Sequence, residues 1–95
     1  MTLGDEVKSG EAQLLDVRTA EEWNEGHAEY ALHIPVDELY RGKTDVLLPA
    51  KKIYVYCASG GRADMAVQYL QEFGFHAENV GGLRDWVHIS TLEKN

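Results

Sequence analysis

The strongest pattern in the chain is Ile53-Tyr54-Val55-Tyr56-Cys57, a run of β-branched and aromatic residues closed by a cysteine. Such residues favour extended backbone. A run that is apolar on both faces is what the central strand of a covered sheet presents. Upstream, Leu14-Leu15-Asp16-Val17-Arg18 is short, ends in charge and reads as a strand. Thr19 with Glu22 three residues on has the spacing of a capping box, so a short helix starts there and Gly26 ends it. Ala31-Leu32-His33-Ile34 reads as a second short strand, because the residue before Pro35 prefers the extended region. Pro35 to Tyr40 predicts another helix, with Asp37 and Glu38 near its positive end, and Leu47-Leu48-Pro49 closes that region. Downstream of Cys57, the small residues Ala58-Ser59-Gly60-Gly61 lead to Arg62. Ala63 to Phe73 then reads as a helix, with Ala66, Val67, Leu70 and Phe73 at helical spacing and Gly74 as its stop. His76 to Val80 is a weaker strand, Gly81-Gly82 a turn, and Leu83 to Trp86 the start of a last helix. Strands that alternate with helices predict an α/β domain with a mostly parallel sheet.

Length and charge narrow this picture. Ninety-five residues suit one domain, expected to span residues 1–95, and are too few for two cores. The balance of 44% hydrophobic and 26% charged residues is that of a folded globular chain rather than a disordered one. The net charge of −7 makes nucleic acid or an anionic membrane an unsuitable partner, since binding phosphates requires positive charge. No apolar run approaches the roughly 18 residues of a membrane span. No signal-peptide pattern opens the chain, so a cytoplasmic location is expected, or a periplasmic one if a signal peptide was removed. The one cysteine excludes an intramolecular disulfide and a Cys-rich zinc site.

The segment that carries chemistry is strand, Cys57, small-residue loop, Arg62, helix. In an open α/β sheet, ligands bind at the carboxyl ends of the strands, and Cys57 stands at such an end. The two loop glycines let the backbone curl so that successive N–H groups point inward, a nest that binds anions at a helix N-terminus. Together with Arg62, this cradle would stabilise a sulfur anion or an anionic group attached to that sulfur. The plain alternative is a small buried hydrophobe at a strand end, the usual fate of a lone cysteine.

Cys57-Ala58-Ser59-Gly60-Gly61-Arg62 resembles the active-site loop of the rhodanese family, sulfurtransferases of single-domain type. Further marks of the family stand in order along the chain: Leu14-Leu15-Asp16-Val17-Arg18, Glu21-Glu22-Trp23 with Gly26-His27, Ile34-Pro35, and Gly81-Gly82-Leu83 with Trp86. The resemblance spans about residues 12–87. It implies a rhodanese-like α/β fold with a central, mostly parallel five-stranded sheet flanked by helices. It also implies sulfane-sulfur transfer through a persulfide on Cys57, with Arg62 and the backbone amides of Ala58, Ser59, Gly60, Gly61 and Ala63 binding the substrate. Three features depart from the family pattern. Ala28-Glu29-Tyr30 replaces an apolar stretch with Pro-Gly, Ala63 stands where serine is common, and the stretch before Leu14 leaves little room for a first edge strand.

Four residues separate Cys57 from Arg62, fewer than in phosphatases of related fold, and the tighter cradle suits a sulfur atom better than a phosphoryl group. The expected function is therefore sulfur transfer from an anionic donor such as thiosulfate to a thiophilic acceptor: cyanide, a thiol or a protein. Neither a cofactor nor a metal is expected, and no general base is needed, because a thiolate attacks a sulfane sulfur directly. The rival is a non-catalytic module of the same fold that binds a partner or senses sulfur species. Among the remaining residues, Asp16 and Arg18 are expected to pair with neighbours such as Glu22 and pin the first loop, although Arg18 could instead face the pocket mouth. His27 reads as a structural hydrogen-bonder, and Asp64 as a complement to the helix dipole. Trp86 reads as core or as rim of the site, and Tyr54, Tyr56 and Tyr69 as packing.

Overall fold

A computed structural model describes residues 3–58, 61–82 and 92–93. The elements run α1 (Leu3–Ser9), β1 (Ala12–Asp16), α2 (Ala20–Glu25), β2 (His27–Ala28), β3 (Ala31–His33), α3 (Val36–Tyr40), β4 (Lys52–Cys57), α4 (Gly61–Glu72), β5 (His76–Gly82) and β6 (Leu92–Glu93). Four strands form a parallel sheet in the order β3-β1-β4-β5, and β2 pairs antiparallel with β6 in a separate ribbon. This is the expected α/β architecture, a parallel sheet flanked by helices. The sheet has four strands among the described residues where the resemblance implied five. The residues ahead of β1 form α1, which passes through Gly10 at a φ of 85° straight into the strand, so residues 3–11 hold no edge strand.

Period-two alternation divides the core. Leu15, Ile53, Val55 and Cys57 point to one face, where Leu39 of α3 and Ala63, Ala66 and Leu70 of α4 cover them. Ala12, Leu14, Tyr54 and Tyr56 point to the other, against Val7 of α1 and Ala28. The buried stripe on α4 recurs at helical spacing, as the sequence predicted, but Phe73 is exposed. Gly74 ends this helix in the left-handed region, with Phe75 N–H donating to Leu70 O at 2.9 Å and Gly74 N–H to Gln71 O at 3.1 Å. That Schellman turn swings Phe75, not Phe73, onto the core.

Two boundaries bear on the site. Helix α4 starts at Gly61 rather than Ala63, which puts Arg62 inside the first turn. Strand β5 runs on through Gly81-Gly82, where a turn was expected. Between Val55 and Cys57 the β4 strand advances two residues while β5 advances three, from Asn79 to Gly82. The extra residue is a bulge: Gly81 takes a φ of 99°, and its N–H donates to the Asn79 side chain at 2.8 Å. The expected helix start at Leu83 to Trp86 lies outside the described residues.

Candidate active site

The sheet order places the chain reversal between β1 and β4, since β1 connects outward to β3 on one side and β4 to β5 on the other. The crevice beyond the carboxyl ends of these two strands is where an open α/β sheet binds its ligand. Cys57 is the last residue of β4 and Asp16 the last of β1. Cys57 is 1% exposed and packs in the apolar cluster with Val17, Ile34, Ala63 and Ala66. Arg62 follows in the first turn of α4. The charged form of its guanidinium is favoured chiefly by the Glu22 hydrogen bond, with smaller contributions from the direction of Cys57 and Asp16.

Of the residues expected to cradle the substrate, Ala58 and Gly61 are exposed and Ala63 is buried under the site. Ser59 and Gly60 lie outside the described residues, as does Trp86. Gly61 is helical, and a side chain built there would meet open space, so at this position glycine is not demanded by the backbone.

The ion pairs differ from the expectation. Arg18 was expected to pair with neighbours such as Glu22. Instead it folds back on Asp16, with Nε 3.0 Å and Nη2 2.8 Å from Oδ2, and Nη2 also donates to Gly26 O at 2.7 Å. Asp16 is only two residues away, and its carboxylate also accepts the Arg18 backbone N–H at 2.8 Å. Burial would lower the Arg18 pKa, but the hydrogen bond and charge of Asp16 outweigh it and hold the guanidinium charged. Arg18 is thus buried and pins the first loop, which agrees with its structural reading and not with a place at an open mouth.

Glu22 pairs with Arg62. Arg62 Nη1 donates to Glu22 Oε1 at 2.7 Å and Nη2 to Oε2 at 3.0 Å, a fork-to-fork bridge. Glu22 is held in place by the predicted capping box: its Oε1 accepts the Thr19 N–H at 3.0 Å, and its own N–H donates to Thr19 Oγ1 at 3.2 Å. Its carboxyl is lowered to about 2, chiefly by the Arg62 hydrogen bond, with Thr19 adding to it against the cost of burial. Glu22 was expected as the cap of α2 and as a neighbour for Asp16 and Arg18, and nothing in the sequence connected it to Arg62. Its other signal was its acidic charge, which an arginine at a neighbouring loop could answer.

Tyr56 was likewise read as packing. Its hydroxyl donates to Asp16 Oδ2 at 2.7 Å and accepts the Ala28 N–H at 3.0 Å. Burial first, and then the Asp16 charge, push its pKa well above the ordinary phenol range. Tyr56 is register partner to Asp16 across β1 and β4, so the two side chains share one face of the sheet. His27 is the hydrogen-bonder that was expected: its Nδ1 lies 3.0 Å from Trp23 O, and its ring stacks on Trp23 with centroids 3.4 Å apart. Asp64, in the first turn of α4 as expected, also accepts from the Asn79 side chain at 2.6 Å. Among the described residues no cluster of His, Cys, Asp and Glu could hold a metal ion, and no helix is long and apolar enough to cross a membrane.

Comparison with known proteins agrees with this geometry. The family model of the rhodanese-like domain matches residues 2–88. A putative sulfur carrier protein of Bacillus subtilis, YrkF, is 36% identical over 75 residues, which are 77% of this chain and 40% of that protein. This chain therefore spans less than half the length of that carrier. The thiosulfate sulfurtransferase PspE of Escherichia coli is 35% identical over 74 residues, 75% of this chain and 70% of that one. A solved rhodanese with anions from E. coli superposes with a TM-score of 0.78 at 29% identity, covering 88% of this chain and 99% of its own.

Proposed function

This chain belongs to the rhodanese-like domain family, and from that premise we propose that it is a sulfurtransferase working by double displacement through a persulfide on Cys57. The observation that carries the reading is the position of Cys57: the last residue of the central strand, at the carboxyl end of the sheet, with Arg62 in the first turn of the helix that follows. In the first half-reaction the Cys57 thiolate attacks the sulfane sulfur of a donor such as thiosulfate. The S–S bond of the donor breaks, sulfite leaves with the bonding pair, and the outer sulfur stays on Cys57. In the second, a thiophilic acceptor attacks that outer sulfur and the Cys57 thiolate leaves. Cyanide, a small thiol or a protein thiol can serve as acceptor.

The protein supplies position and field rather than proton transfer. Cys57 ends β4 shortly before the twelve-residue α4, and in this scheme the positive end of that helix favours the anionic forms of the sulfur. Arg62 adds a cation beside them. Within residues 1–95 Cys57 is the only thiol, so the scheme routes both half-reactions through it.

The test is the intact mass after incubation with thiosulfate. One added sulfur atom is expected, removed again by cyanide, with neither step in Cys57→Ser. A folded protein that takes up no sulfur from thiosulfate, polysulfide or a persulfide overturns the proposal. Uptake without release to any acceptor points instead to a carrier, the role that the name of the B. subtilis relative carries.

A further inference from the structure

Two arginines, Arg18 and Arg62, stand where the strand ends meet, and each is already matched by a carboxylate. Arg18 shares a buried fork with Asp16, and Arg62 a fork with Glu22, whose partly buried side chains are 34% and 31% exposed. Both terminal nitrogens of Arg62 are engaged. Two of its five N–H donors are spent on Glu22 among the described residues, so Arg62 meets a ligand as half of a neutral pair. Glu22 is not a chance neighbour, because Thr19 holds the same carboxylate through the capping box. The compensation is thus built into the start of α2 and acts on the start of α4.

We infer that Glu22 is a specificity-determining residue that acts through Arg62, and that it selects sulfur donors of low charge, organic hydropersulfides, over the dianion thiosulfate. This deepens the sulfurtransferase reading and rests on it. A dianion needs uncompensated positive charge to leave water. Among the described residues the Arg62 charge is answered by Glu22 and the Arg18 charge by Asp16, and the chain as a whole carries −7. What remains to bind the donor is the backbone dipole, which suffices for a single developing charge on sulfur. With a hydropersulfide R–S–SH the step balances without further groups. The Cys57 thiolate attacks the terminal sulfur, the S–S bond of the donor breaks, R–S⁻ leaves with the pair, and the proton stays on the new Cys57 persulfide.

The experiment compares kcat/KM for thiosulfate and for 2-hydroxyethyl hydropersulfide, with cyanide as common acceptor, in the wild type and in Glu22→Gln. Glutamine preserves the capping box, since the motif accepts either residue, so the fold is retained. The ratio of thiosulfate to hydropersulfide efficiency should rise about tenfold in Glu22→Gln, through KM for thiosulfate and not kcat; this is the lower end for a charge-assisted pair, because the guanidinium is partly exposed. A merely structural Glu22 would lower both donors together and leave the ratio where it was, which overturns the inference. Should the variant not fold, the wild type alone decides. A preference for hydropersulfide supports the inference, and equal or better use of thiosulfate refutes it. A wild type that loads no sulfur from either donor overturns the sulfurtransferase reading itself, a different failure from an unchanged ratio.

Discussion

Replacing Tyr56 with phenylalanine removes one oxygen atom from a fully enclosed position, and its cost follows from the two hydrogen bonds that oxygen makes. It donates to the Asp16 carboxylate at 2.7 Å, and it accepts the buried Ala28 N–H at 3.0 Å. A bond to a charged group contributes about 1.5–3 kcal/mol, and a buried N–H left without an acceptor costs about 1–3 kcal/mol. The two effects overlap, because Asp16 keeps its bonds to Arg18. A net loss of about 3 kcal/mol is therefore expected. For a domain of this size that lowers Tm by about 12–24 °C. The control is Tyr54→Phe on the same strand, whose hydroxyl reaches Glu6 at 2.8 Å in a part-buried position and should cost no more than about 1 kcal/mol. Chemical denaturation read by circular dichroism gives both values. Equal losses for the two variants, or a loss under about 1 kcal/mol for Tyr56→Phe, would show that the Asp16–Arg18–Tyr56 network is not what holds the ends of β1 and β4 together.

Four further outcomes are expected. Tyr30→Gly should raise stability by roughly 0.5–1 kcal/mol in a melt, because Tyr30 is 55% exposed and held at a φ of 69°, a conformation that costs a residue with a Cβ about 1–2 kcal/mol against glycine's smaller entropic loss. Arg62→Ala should lower kcat/KM for thiosulfate by about tenfold or more, since it removes a cation and leaves the Glu22 carboxylate uncompensated, and adding Glu22→Gln should restore part of the loss. Glu22, with its carboxyl lowered to about 2 from 4.5, contributes stability that is present above pH 4.5 and is lost as the pH falls toward 2; urea titrations across that window should show a shallower acid loss in Glu22→Gln than in the wild type. Hydrolysis of an aryl phosphate should be negligible, because four residues between Cys57 and Arg62 make a tight cradle; turnover that matches the thiosulfate reaction and vanishes in Cys57→Ser would refute this.

The elements that could be read from the sequence are those whose signals are local. The capping box at Thr19 and Glu22, the apolar run into Cys57, and the stop at Gly74 each state their conformation within a few residues, and each forms as expected. Helix α1 escaped because its seven residues bury only Val7, too short a stripe for a periodicity to show. The bulge at Gly81 looked like a turn, since glycine pairs serve both, and only the neighbouring strand decides between them. Tyr30 takes a φ of 69°, which nothing in the polar stretch Ala28-Glu29-Tyr30 signals from its residue types. Partner choice was the harder matter. Asp16, Arg18, Glu22 and Arg62 are all visible as charges, but forty residues of chain separate Glu22 from Arg62, and no spacing rule couples such a pair.

Strand β4 resolves the conflict between a polar site and an apolar core by alternation. Tyr56 and Cys57 are neighbours in sequence and point to opposite faces of the sheet. On one face the Tyr56 hydroxyl closes a network in which the Asp16 charge is answered by Arg18, so the strand ends are joined by bonds that no ligand is needed to complete. On the other face Cys57 sits among aliphatic side chains, and the Glu22–Arg62 pair belongs to α2 and α4 rather than to the sheet. The Asp16–Arg18–Tyr56 network thus lies on the sheet face opposite Cys57, while the Glu22–Arg62 pair ties α2 to α4. A change at Asp16 or Tyr56 should therefore appear as stability, whereas a change at Glu22 or Arg62 should appear as donor choice. That separation follows from the parity of one strand.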